Sequence, residues 1–117
     1  MATVVAEEGW ERLAGAVGLL HQAAIEVWRD ADEQAPDSPL HSLGLGVYLA
    51  KAQACALLPE DYQIPDVEPE GSGLLRLLAR ADELIRPLPI RRPDLVGVSQ
   101  LVVDLYDLIR EARELGY

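Results

Sequence analysis

A chain of 117 residues is long enough for one domain around one hydrophobic core, and a domain of that size removes roughly two thirds of its extended-chain surface from water. Twenty acidic residues against ten basic ones give a formal net charge of −10, which argues against nucleic acid as a partner, because phosphate neutralisation by Lys and Arg supplies most of that affinity. No apolar run reaches the ~18 to 20 residues of a membrane span, since His21, Lys51, Asp82 and Asp104 interrupt the candidates, so no membrane is expected either.

In chain order, the first element is a long amphipathic helix expected over residues 4–33. Trp10, Leu13, Val17, Leu20, Ala24, Val27 and Ala31 recur at 3-4 spacing, with Glu8, Arg12, Gln22, Glu26, Arg29 and Glu33 opposite. Thr3 is a candidate N-cap, and Glu7 and Glu8 suit the positive end of the helix dipole. Pro36 and Pro39 end the helix. Ser38-Pro39 then reads as an N-cap followed by proline at the first helical position, opening a second helix over 39–58.

The segment from Pro59 to Gly71 carries three prolines and a run of acids, the signature of a surface loop at 59–71. Gly71, Ser72 and Gly73 lack the Lys-Ser/Thr that a phosphate cradle needs, and the loop acids lack calcium-loop spacing. Ser72 is a candidate cap for a third helix over 73–86, with Leu74, Leu77, Leu78, Ala81, Leu84 and Ile85 as its apolar face. That helix stops at Arg86-Pro87, because a residue before proline disfavours helical geometry. Pro93 and Asp94 open a fourth helix over 93–115, striped by Leu95, Val98, Val102, Leu105, Ile109 and Ala112. With no strand pattern, the expected fold is all-α: an antiparallel up-down-up-down four-helix bundle forming one domain over 1–117. In that arrangement Arg86, Arg91 and Arg92 would sit at the same end as Asp30, Asp32, Glu33 and Asp37 and offset their charge.

The second helix departs from the amphipathic pattern. Leu40, Val47, Ala54 and Leu58 lie on one side, and Leu45, Leu49, Ala52 and Ala56 on nearly the opposite side. A bundle buries one broad face per helix, so the second apolar face needs either the acidic loop at 59–71 or another chain to cover it, and another chain is the expectation. Leu45, Leu49, Ala52 and Ala56 are the interface candidates of a homodimer. Gly44 and Gly46 cost helix propensity and point to close contact between helices.

The polar lane of this helix holds His41, Tyr48, Lys51 and Cys55. His21 lies near the line joining Trp10 and Trp28, and counting residues from the shared turn puts His21, Lys51 and Tyr106 at one height. Two readings follow. In one, His21, Tyr48, Lys51 and Tyr106 line an internal site that binds an anionic small molecule or performs acid-base chemistry. In the other, His21 bonds a neighbour in the core and the Lys51 stem runs along the helix into water.

No metal or cofactor is expected: His21 and His41 are separated by roughly 15 Å at 1.5 Å per residue. Cys55 reads as a small buried hydrophobe, and as the only cysteine it excludes an intramolecular disulfide. Glu7 and Glu8 also stand where a secretory leader would be basic, so a reducing cytoplasm is the expected location. Lys51 is the sole lysine beside many arginines, and Asn and Phe are absent, a bias that fits a GC-rich bacterial coding sequence. The expected function is that of a small acidic protein acting through protein–protein contacts, by self-association and with a further protein partner, without catalysis. The alternatives are the anion-binding or acid-base bundle centred on His21 and Lys51, and an acidic decoy for a basic partner.

Overall fold

A computed structural model of the protein describes residues 7–34, 36–58, 73–86 and 95–117. Four helices, α1 (Glu7–Asp32), α2 (Pro39–Ala56), α3 (Leu74–Ile85) and α4 (Leu95–Glu114), pack as an all-α bundle, with no strand among the described residues. The expected starts of the first and fourth helices, Thr3 as a cap, Ser72 as a cap, and the loop at 59–71 lie outside the described residues.

The apolar stripe of α1 is buried as its spacing predicts, from Leu13 through Val17, Leu20, Ala24 and Val27 to Ala31. A second row, Ala16, Leu19 and Ala23, is equally buried, so the inward face of α1 is wider than one stripe and serves two neighbours. At the start of α2, Ser38 has extended backbone (φ −61°, ψ 138°) and its Oγ accepts from the Leu40 N–H at 3.3 Å, with Pro39 at the first helical position. The helix ends at Ala56 rather than at 58. The N–H groups of Leu57 and Leu58 donate to the carbonyls of Ala54 and Cys55, a tightening of the last turn that satisfies carbonyls otherwise left over.

Gly73 is the N-cap residue of α3 and makes no side-chain capping bond; its φ of 82° with ψ of 155° is a conformation essentially reserved for glycine. In α4 the buried line is Val98, Leu101, Leu105, Leu108 and Ala112, while Val102 and Ile109 are only partly covered. The burial is therefore rotated by one position from the expected stripe, because α4 packs between two helices, α2 and α3.

The order of the helices corrects the up-down-up-down expectation. α1 packs beside α2 and α3, α4 packs beside α2 and α3, and among the described residues α1 and α4, like α2 and α3, stand diagonally rather than side by side. Near the start of α1, Arg12 donates from Nε to the Leu84 carbonyl (3.2 Å) and from Nη2 to the Glu83 carbonyl (3.1 Å), so α3 ends where α1 begins. Gln53 bonds Asp104 while Leu40 lies beside Leu115 and Tyr117, so α4 runs against α2. Every neighbouring pair is thus antiparallel, but the sequence of directions is up, down, down, up.

The same order separates the charges that were expected to meet. Arg86 sits at the end of the bundle where α1 begins, and its Nε donates to Asp82 Oδ2 at 2.7 Å, one turn back on α3. It cannot offset Asp30 to Asp37 at the other end; Arg91 and Arg92 lie outside the described residues. At that other end the Tyr117 hydroxyl donates to Asp30 Oδ2 at 2.7 Å. Burial, then the bond to Asp30, pushes the Tyr117 phenol above its ordinary pKa.

Gly44 and Gly46 make the close contacts their cost implied. A Cβ on Gly44 would stand 2.5 Å from Trp28 Nε1, and one on Gly46 would stand 2.8 Å from Leu108 Cδ2. Gly44→Ala is expected to lower stability by about 1 kcal/mol, because overpacking against the indole (~1–3 kcal/mol) exceeds the helix-propensity gain of ~1 kcal/mol; urea unfolding measures it, and a stabilised variant would contradict it. Tyr117, with its raised pKa, contributes fully below pH ~10 and progressively less as pH rises above that value. Stability of the wild type should therefore fall more steeply above pH ~10 than that of Tyr117→Phe, as followed by urea midpoints across pH.

Candidate functional site

The side of α2 that faces away from the core is the most unusual surface of the protein. Inward, α2 buries Leu43, Gly44, Val47, Ala50 and Ala54. Outward, it exposes Leu45 (54%) and Leu49 (50%), together with Ala52, Ala56, Tyr48 and Cys55. These residues fall at 3-4 spacing, so they form one continuous strip along the helix. The 18 residues of α2 include no aspartate or glutamate, although the chain carries 20. Cys55 belongs to this strip as an exposed free thiol, which corrects its expected burial.

The two edges of the strip differ in charge. On the α1 edge, Lys51 Nζ lies 3.1 Å from His21 Nδ1. The ammonium has only protons to offer, so it donates and Nδ1 accepts with its lone pair. Lys51 Nζ also stands 5.7 Å from the Tyr48 ring centroid, and Tyr48 packs against Trp28 with centroids 5.9 Å apart and planes tilted by 35°. On the α4 edge, Gly46, Leu49, Gln53, Asp104, Asp107 and Leu108 border a shallow groove. Asp104 accepts from Gln53 Nε2 and from Gln100 Nε2, each at 2.9 Å, which holds its carboxylate at the height of Gln53.

Of the four candidate ligand-binding residues, His21, Tyr48 and Lys51 lie together; the counting of heights groups His21 and Lys51 with Tyr106 instead. The three meet on the surface: His21 is exposed, Lys51 half-buried and Tyr48 exposed, with Tyr48 and Lys51 bordering an open recess alongside Ala52, Cys55 and Ala56. The reason lies in α1. His21 is in line with Trp10 and Trp28, but the second buried row, Ala16, Leu19 and Ala23, moves the centre of the inward face away from that line. Tyr106 stands apart from the other three, 58% exposed on α4, the helix diagonal to α1.

Sequence reasoning missed Trp28 as part of this surface and missed the acidic edge. Trp28 lies at the margin of the core and covers Gly44. For the acidic edge a signal existed, since Gln100 and Asp104 are one turn apart on one face of α4. Among the described residues no group of three or more His, Cys, Asp or Glu side chains could hold a metal ion, and no helix is long and apolar enough to cross a membrane.

The contact between Lys51 and His21 lies at the surface, where such pairs contribute little. Lys51→Met is therefore expected to shift the stability of the isolated subunit by less than about 0.5 kcal/mol in thermal or urea unfolding; a larger loss would show that the pair holds α1 and α2 together. The chain matches no family model, no curated protein and no solved structure.

Proposed function

We propose that this protein acts through protein–protein contacts, and first through self-association by the outer face of α2. The observation that carries this reading is the pair of half-exposed leucines, Leu45 and Leu49, on a helix free of acidic residues in a chain of net charge −10. Covering the exposed half of each leucine is worth about 1 kcal/mol. A solvated helix face has no use for these side chains, and the acids that would keep it in solution stand on α1 and α4 instead.

The same face suits a second copy of this chain. Two molecules that each carry −10 repel one another over most of their surfaces, and the outer side of α2 is where that repulsion is least. A patch of one helix width favours a reversible dimer over an obligate one, because the apolar gain offsets only part of the cost of association. The partner of a different sequence, if the protein serves one, would compete for or extend this face.

A reducing cytoplasm fits the exposed Cys55 thiol, which would stay reduced there, and a bacterial source fits the scarcity of lysine and the absence of asparagine and phenylalanine. The anion-binding or acid-base reading draws less support, because His21 and Lys51 stand open to water, whereas ligand sites of that kind enclose most of the ligand.

Leu45→Glu and Leu49→Glu test the proposal. Each is expected to yield a monomer in sedimentation velocity at concentrations where the wild type is dimeric, with an unchanged helical spectrum, because the substituted side chains lie outside the core. A wild type that stays monomeric up to the highest soluble concentration would remove the reading.

A further inference from the structure

We propose that the second copy docks with its α2 parallel to α2 of the first, about a two-fold axis running along the bundle, so that Lys51 of each protomer meets Asp104 and Asp107 of the other. This inference rests on the self-association proposed above and names the arrangement of its partner. It follows from the unlike edges of the α2 strip: Lys51 and His21 on the α1 side, Asp104 and Asp107 on the α4 side.

Two copies that meet face to face through the same patch are related by a two-fold axis lying in the interface. If that axis crosses α2, the two α2 helices run antiparallel and each edge meets its own copy. Lys51 then faces the partner's Lys51 side, and the carboxylates face carboxylates. If the axis runs along α2, the helices run parallel and the sides exchange, so the α1 edge of each protomer lies against the α4 edge of the other.

The heights also agree. Gln53 bonds Asp104, and Asp107 shares a groove with Leu49 and Gln53, so both carboxylates sit level with the turn of α2 that contains Lys51. A two-fold axis along α2 preserves height, which brings Lys51 opposite the partner's Asp104 and Asp107 without any sliding. It also places Leu45 against the partner's Leu45 and Ala52 against the partner's Ala52 along the midline.

Lys51 has the reach for this exchange. Its flexible four-carbon stem can leave the single neutral acceptor at His21 for a carboxylate, a stronger partner for an ammonium. Parallel alignment of two helix dipoles opposes the pairing only through the helix ends, whereas like charges along both edges would oppose the antiparallel alternative at its middle.

Cross-linking and charge exchange test the arrangement together. In a Cys55→Ser background, Leu45→Cys and Ala52→Cys are made separately and oxidised mildly. Parallel pairing predicts that either variant cross-links on its own; antiparallel pairing predicts a cross-link only when the two are mixed, since position 45 then faces the region of 52. In the same background, Lys51→Glu and Asp107→Lys are each expected to weaken the dimer about tenfold, counting two exposed contacts per dimer, and the double variant to recover most of that loss. Cross-links confined to the mixture, no cross-link from a dimeric sample, or no recovery in the double variant would overturn the parallel arrangement and leave self-association standing. A wild type that never dimerises would overturn both.

Discussion

The bundle depends on the double-sided burial of α1. Its 26 residues present two apolar rows, one centred on Leu13, Leu20 and Val27 and one on Ala16, Leu19 and Ala23, and these need two different helices to cover them. α2 and α3 take the two sides, and α4 closes the far corner by packing on both. Alanine at many α1 positions lets the neighbours approach closely, and the large aromatic side chains Trp10 and Trp28 remain at the margin of the core. Arg12 then fastens the end of α3 by donating to the last carbonyls of that helix, where a cation also suits the dipole.

Because the core is completed by aliphatic contacts along the inner sides, the outer side of α2 is left with apolar groups that no described element covers. Its inner side uses Leu43, Val47, Ala50 and Ala54, and Gly44 and Gly46 let Trp28 and Leu108 close over the backbone. The exposed halves of Leu45 and Leu49 therefore add nothing to the subunit's own packing. Selection against aggregation would normally replace such residues with charge. That α2 lacks aspartate and glutamate while α1 and α4 carry the acids is the physical basis for assigning this face a partner.

Much of this was legible from the residues. The 3-4 spacing marked all four helices, Ser38-Pro39 marked a cap, and the two apolar sides of α2 were visible in projection. Counting residues from the shared turn was enough to bring His21 and Lys51 together. The order of the helices was not legible, because an apolar stripe says that a face is buried and not which helix buries it. Both orders bury the same stripes with every neighbouring pair antiparallel. Only long-range contacts, such as Arg12 with the carbonyls of Glu83 and Leu84, distinguish them. The length of the 59–71 segment was the available hint, since a crossover needs a longer connection than a hairpin of helices. The exposure of His21 escaped for a related reason: it depends on where the centre of a wide face lies, and the second row of α1 moves that centre.

The central claim is that a second copy of the chain covers the outer face of α2. Native mass spectrometry of the wild-type protein over a range of concentrations tests it most directly, because one spectrum reports both subunit number and anything else retained. The account predicts a species at twice the 12.8 kDa chain mass that grows with concentration. A monomer carrying nothing at every concentration would contradict it.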